Sequence, residues 1–136
     1  MNRPILIAYQ LLTGFADAAT GALLVLAPAF TLRLMGLRVP VDALPYISFI
    51  GAFVLSVGLA CLYGARVLIR GTSPCRLETI WLLTAITRVS VASFVIAQVL
   101  AHTLEAGWVT VAVADGVCVV FQAMGLRRGW VAHVAR

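Results

Sequence analysis

The chain has 136 residues, of which 62% are hydrophobic and only 11% are charged. A soluble domain of this size needs more surface charge, so the composition excludes an ordinary soluble fold and predicts one integral membrane domain over residues 1–136. Eight of its ten Arg residues lie between or beyond the apolar segments and a ninth, Arg66, lies at the end of one, rather than in the basic stripe of a nucleic-acid-binding protein. Nucleic acid is therefore not an expected partner. The three Cys and two His residues are isolated from one another, so no metal site or cofactor is predicted.

Four apolar segments are long enough to cross the hydrocarbon core of a bilayer. They run approximately over residues 5–27, 46–67, 79–101 and 107–126. The sequence therefore predicts an all-α protein, a four-helix transmembrane bundle. Asp17 interrupts what would be the apolar core of a signal peptide, so we expect the first segment to be a retained helix.

The connection between the first two spans, residues 29–45, is long for an outer loop. Phe30, Leu34 and Leu37 repeat there at helical spacing. Two interpretations fit this pattern: a short interfacial helix lying on the outer membrane surface, or an apolar loop resting on lipid.

The distribution of Arg residues predicts the orientation of the spans. Arg residues cluster at the N-terminus, in the second connection and in the C-terminal tail, which lie on one side if all four helices cross. They are Arg3, Arg66, Arg70, Arg76, Arg127, Arg128 and Arg136. The opposite side carries only Arg33 and Arg38. Because cytoplasmic loops carry the excess of basic residues, both termini should be cytoplasmic.

Three charged residues, Asp17, Arg88 and Asp115, lie near the middle of three different spans. A charge at the centre of a membrane helix costs roughly 2.5–3.5 kcal/mol on the insertion scale, so it rarely faces lipid. Two acids and one base at similar depth predict a polar cluster inside the bundle. If all three are ionised, the cluster carries a net negative charge, so one carboxyl group can hold a proton.

Residues seven positions apart in an α-helix lie on nearly the same face, which extends this cluster into layers. The layer on the cytoplasmic side contains Gln10, Trp81 and Gln122, and the layer on the outer side contains Leu24, Val95 and Trp108. We expect a pocket for a lipophilic small molecule, with the three charges at its end. Trp81 and Trp108 would form its apolar walls, and Gln10 and Gln122 would bind the substrate. Thr84, one turn before Arg88, either bonds its own backbone or lines this pocket.

Small residues repeat every four positions on the first two spans, a pattern that lets helices approach closely. They are Gly14, Ala18 and Ala22 on the first span, and Ala52, Ser56, Ala60 and Gly64 on the second. We expect these stripes to pack together. A homodimer seam along the second span is the alternative.

Three functions fit these features. The first is a cofactor-independent isomerase or cyclase acting on an isoprenoid, sterol-like or polyketide-like molecule, with Asp17 and Asp115 as acid and base. In it Arg88 would either orient a carboxylate or keep one Asp ionised. The second is a non-catalytic structural or accessory subunit, whose charges form a buried ion-pair triad. The third is a dimeric proton-coupled transporter, against which the small number of helices and the lack of an inverted repeat both count.

Three short motifs follow one another along the chain: Gly14-Phe15-Ala16-Asp17, Leu26-Ala27-Pro28 and Gly125-Leu126-Arg127-Arg128-Gly129. Together with the Gly-rich second span, this layout resembles small bacterial four-span proteins of the DoxX-like type. The resemblance implies a location in the bacterial inner membrane. Some members of that group are associated with quinone-linked oxidoreductases.

Overall fold

The computed structural model describes residues 2–71 and 74–131, and within them every regular element is helical. The α-helices are α1 (Arg3–Leu26), α2 (Pro28–Leu34), α3 (Leu44–Arg70), α4 (Pro74–Leu100) and α5 (Val109–Arg127). Short 3-10 turns at Val41–Ala43 and Ala106–Trp108 lead into α3 and α5. The predicted all-α class is confirmed.

The four long helices are long and apolar enough to cross a membrane. Their most apolar windows have mean hydropathies of 1.3, 2.0, 1.9 and 1.8 in chain order. Large apolar side chains remain exposed along all four of them, among them Phe15, Phe49, Phe94 and Val117. A surface of this kind suits acyl chains rather than water. The chain is an integral membrane protein.

The helix α4 extends beyond the third apolar segment at its N-terminal end. That segment begins near Thr79, whereas α4 begins at Pro74. A proline suits the first turn of a helix, where its missing N–H is not needed. The added residues of α4 also include Arg76 and Glu78. A segment chosen for its apolar residues leaves such charged residues out.

The chain forms two compact units, one from Asn2 to Arg70 and one from Gly71 onward. The single membrane domain predicted from the sequence stays a prediction. In the first unit α1 and α3 run antiparallel, since the guanidinium of Arg3 donates hydrogen bonds to the carbonyl oxygens of Leu68 and Ile69 at the far end of α3. These bonds satisfy carbonyls that the end of a helix otherwise leaves without a donor.

The contact between α1 and α3 depends on glycines. A Cβ added at Gly21 would lie 2.3 Å from the backbone nitrogen of Leu55, and one at Gly58 would lie 2.3 Å from that of Ala18. The two backbones therefore touch directly, which only glycine permits. The predicted close packing of the first two spans is confirmed, and Gly14 and Ala18 of the first stripe contact α3.

The stripe predicted for the second span is only partly the packing face. Gly64 is buried but Ala52 and Ser56 are exposed, whereas Gly51 and Gly58 meet α1. Glycines seven residues apart allow a closer approach than alanines and serines four residues apart, so the helix turns its glycine face to its partner. The homodimer seam along the exposed stripe stays a prediction.

The first connection contains the helix that one of the two interpretations predicted. In α2, Thr31 and Leu32 are buried, whereas Phe30 and Leu34 leave their side chains exposed. The helical interpretation of this connection is confirmed. Its location on the outer membrane surface stays a prediction.

In the second unit α4 and α5 also run antiparallel. The buried residues of α4 follow a spacing of three and four positions; they are Leu77, Trp81, Thr84, Arg88, Ala92 and Val95. Towards the C-terminal end of α4, Ala92 and Val95 form an apolar cluster with Ala112, and Trp108 packs against it. The sequence correctly predicted this layer to be apolar.

Candidate functional site

Arg88 and Asp115 form an ion pair in the middle of the second unit. The Arg88 Nη1 donates to Asp115 Oδ1 over 2.6 Å. The side chains are only 6% and 16% exposed, respectively. The structure thus brings together two of the three charged residues that the sequence placed in one cluster.

The neighbours of each charge explain why the pair forms here. Arg88 lies on the buried face of α4 between Thr84 and Ala92, so its side chain points towards α5. Asp115 lies three positions after the buried Ala112 of α5. One positive and one negative charge compensate each other, so this part of the site is neutral as a pair. In an environment from which water is excluded, such a pair is held much more strongly than at a surface.

Gln122 lies one heptad after Asp115 and is completely buried. Its Nε2 donates to the Oγ1 of Thr84 over 2.8 Å. The Thr84 hydroxyl in turn donates to the carbonyl oxygen of Ile80, also over 2.8 Å. Thr84 therefore bonds its own backbone, which is one of the two roles that the sequence left open, and it also accepts a hydrogen bond from Gln122 of the other helix. That it lines a pocket stays a prediction.

Trp81 closes the cytoplasmic end of this face, as defined by the predicted orientation. It is completely buried, and its ring centroid lies 6.0 Å from that of Phe121. Gly125 makes room for the indole, because a Cβ there would lie 2.4 Å from Trp81 Cζ3. Phe121 also meets Trp130 at a centroid distance of 5.7 Å. Sequence reasoning missed Phe121 and Gly125, although Gly125 lies three residues beyond Gln122 and hence on the same side of the helix.

Trp108 lies at the opposite end of the unit, against Val95 and Ala112. Since α4 and α5 are antiparallel, the Arg88–Asp115 pair lies between the two tryptophans along the helix axes. This order agrees with the layers expected from the heptad spacing. Their role as walls of a pocket stays a prediction.

An open space adjoins the residue that follows Asp115. A Cβ added at Gly116 meets nothing within 4 Å. Further along α5, Cys118 and Val119 are partly exposed. The described part of the chain therefore leaves the Gly116 side of α5 uncovered.

Asp17 and Gln10 belong to the first unit, on α1. Asp17 is half-buried, and its backbone lies against Gly58 of α3. Gln10 is completely buried, and within the described part of the chain neither atom of its amide has a hydrogen-bond partner. That these residues meet Arg88, Trp81 and Gln122 in common layers stays a prediction.

A surface groove on the second unit lies away from all of these residues. It is lined by Cys75, Glu78, Thr79, Leu82 and Leu126. None of the predicted site residues contributes to it, and it lies towards the N-terminal end of α4. The groove therefore does not correspond to the pocket expected from the sequence.

No protein-family model matches the chain, and neither a curated protein nor a solved structure shows significant similarity to it.

Proposed function

We propose that this membrane protein binds a lipophilic small molecule beside Asp115 and catalyses its isomerisation or cyclisation by acid–base chemistry. The observation that carries the proposal is a buried ion pair in mid-span, Arg88–Asp115, next to a residue, Gly116, whose side of α5 is uncovered. Ionisable groups at this depth are costly, and membrane proteins commonly keep them for function.

The chemistry requires only the residues of this chain. The Asp115 carboxylate would take a proton from a carbon or hydroxyl of the substrate and return a proton at another position. Such an isomerisation is balanced without a cofactor. Arg88 would hold the carboxylate in position through its Nη1.

Solvent deuterium exchange tests this proposal without knowledge of the substrate. The reconstituted protein is incubated in D2O with a neutral lipid extract, and deuterium incorporation is followed by mass spectrometry. We expect incorporation into one class of lipid with the wild type and at least a hundredfold slower incorporation with Asp115→Asn, within the roughly 10²–10⁴-fold contribution of a general base. Glu105→Gln is the matched control, because Glu105 is exposed beyond the end of α4. Equal incorporation with wild type and Asp115→Asn would refute the catalytic role.

A second candidate function is structural. The direct contact of Arg88 Nη1 with Asp115 Oδ1 favours it, because the pair joins the two helices of the unit. In that case Arg88→Leu/Asp115→Leu, which replaces both charges with apolar side chains, should remain folded and keep its deuterium exchange. Loss of deuterium exchange in a double variant that remains folded would argue for catalysis instead.

The proposed location is the cytoplasmic membrane of a bacterium, with both termini in the cytoplasm. The excess of Arg residues at the chain ends, in the last turns of α3 and in the first turn of α4 supports this orientation. A fluorescent protein fused to either end should fluoresce in cells. An alkaline phosphatase fused within residues 36–40 should be active, because that segment would face outward.

A further inference from the structure

The orientation of the Gln122 amide is fixed by its neighbour. The Thr84 hydroxyl has a single hydrogen, and it donates this hydrogen to the backbone, to the carbonyl oxygens of Ile80 and Trp81 at 2.8 and 3.3 Å. Its oxygen can then only accept, so the group 2.8 Å away must be the NH2 of Gln122. The other end of the amide, Oε1, is therefore an acceptor.

That acceptor has no donor within the described part of the chain, although Gln122 is completely buried. A buried polar atom without a hydrogen bond costs roughly 1–3 kcal/mol, so its retention needs an explanation. A ligand that supplies a donor removes this cost. A ligand whose polar atoms only accept, such as an ether, an ester or a ketone, does not.

The charge of the site decides between neutral and charged donors. Arg88 and Asp115 already compensate each other at 2.6 Å, so the pair gives no preference to an ammonium group or to a carboxylate. Among neutral donors, a hydroxyl costs less to bury than an amide, because the carbonyl of the amide would need a further hydrogen-bond donor in an apolar site.

We infer that the ligand is a neutral lipophilic alcohol or phenol, whose hydroxyl donates a hydrogen bond to Gln122 Oε1. This inference rests on the proposed function and specifies its substrate class. Gln122 follows Asp115 by seven residues, which corresponds to about 10.5 Å along the helix. The ligand would lie along α5 past Cys118 and Val119, with its hydroxyl at Gln122 and the reacting part of its skeleton at Asp115. Because Gln122 is completely buried, binding must displace the side chains that cover its Oε1.

The test compares three photoreactive probes that share one sixteen-carbon chain and differ only in the head group. They are a primary alcohol, its methyl ether and the corresponding methyl ester. Each is crosslinked to the wild type in lipid nanodiscs, and the labelled peptides are quantified by mass spectrometry. We expect the alcohol to label α5 about tenfold more than either acceptor-only probe, as a single buried hydrogen bond allows.

Two variants test separately whether the preference depends on the Gln122 acceptor and on the orientation of its amide. Gln122→Met keeps the length of the side chain but removes the acceptor, so labelling by the alcohol should fall about tenfold to the level of the ether. Thr84→Val frees the amide to rotate and present its NH2, so labelling by the ether should instead rise towards that of the alcohol. Gln98→Met is the control, because Gln98 lies near the C-terminal end of α4 and should leave the preference unchanged.

The outcomes distinguish this inference from the function on which it rests. Equal labelling of the wild type by alcohol and ether, or a preference that survives in Gln122→Met, would overturn the hydroxyl assignment alone. If all three probes label wild type and Gly116→Leu equally, the proposed binding site is wrong, and the hydroxyl assignment fails with it. The comparison of probes on the wild type remains decisive if a variant does not fold.

Discussion

Arg88 of α4 and Asp115 of α5 face each other across the second unit, with 2.6 Å between Nη1 and Oδ1. The two residues are 27 positions apart in the chain, and the turn of residues 101–108 brings them to the same depth. This contact defines the register of the two helices. With Thr84–Gln122, it provides two polar pairings that a shifted register would break.

Removing one partner of this pair should be worse than removing both. Arg88 cannot lose its charge, so Asp115→Leu leaves a buried cation and should cost about 3–5 kcal/mol of unfolding free energy. Arg88→Leu should cost less, because a carboxyl group can become neutral by binding a proton. The double variant should be more stable than Asp115→Leu.

Reversible unfolding in mixed micelles measures these differences. A double-mutant cycle gives the coupling between the two residues directly. Free-energy changes that simply add would show that the pair does not contribute to stability as a unit.

Two glycines of α5 should respond in opposite ways to the same substitution. Gly125→Ala forces a Cβ against the buried Trp81 and should cost about 1–3 kcal/mol, as overpacking does. Gly116→Ala meets nothing within 4 Å and should be neutral or stabilising, by up to about 1 kcal/mol, because alanine favours a helix. Thermal unfolding in detergent distinguishes the two. A loss of stability in Gly116→Ala would mean that the space beside Asp115 is already filled.

The close contact of α1 and α3 should be intolerant of a single methyl group. In Gly58→Ala the new Cβ meets the backbone of Ala18, which cannot rotate away, so the helices must separate. We expect a loss of about 1–3 kcal/mol of unfolding free energy.

Ser56→Leu is the matched control for this helix, because Ser56 is exposed two residues away. It should leave the stability of the folded chain unchanged. The same variant tests the predicted homodimer seam: a change of mass in native mass spectrometry from dimer to monomer would support it. An equal loss of stability in Ser56→Leu and Gly58→Ala would contradict the glycine contact.

Replacing His102, just after the end of α4, with glycine should stabilise the folded protein. His102 adopts a φ of 57°, the left-handed conformation that ends a helix and that glycine accepts without strain. The N–H of Thr103 donates to the carbonyl oxygen of Gln98, as this type of helix end requires. His102→Gly should raise the unfolding free energy by roughly 0.5–1 kcal/mol. A decrease would show that the imidazole makes a contact that outweighs the strain.

Hydropathy and the depth of the charges predicted most of the fold. The helical class and the apolar spans follow from the length of each segment, because the thickness of a bilayer sets the length of a helix that crosses it. The contact of Arg88 with Asp115 and the burial of Trp81 and Gln122 follow from helical periodicity, because residues seven apart share a face.

The glycine contacts of Gly21, Gly51 and Gly58 were not predicted, although the contact of Gly14 with α3 was. The open space at Gly116 was not predicted either. A pattern of small residues shows that a helix can approach a partner but not which face does so, and Ala52 and Ser56 were as good a candidate as Gly51 and Gly58. Two glycines of α5 also have opposite roles: Trp81 fills the space beside Gly125, whereas the space beside Gly116 is empty. Only the neighbouring helix decides between these roles. A preference for glycines seven residues apart would have found Gly14 with Gly21 and Gly51 with Gly58.

The most direct measurement of the central claim is native mass spectrometry of the protein purified from bacterial membranes. The wild type should retain a non-phospholipid molecule in a ratio of one to one. Gly116→Leu should lose this molecule and remain folded, because its side chain occupies the open space beside Asp115. Val113→Leu, a change on the exposed side of α5, should retain it. A wild type that carries no such molecule, or a molecule that stays bound to Gly116→Leu, would contradict a binding site at Asp115.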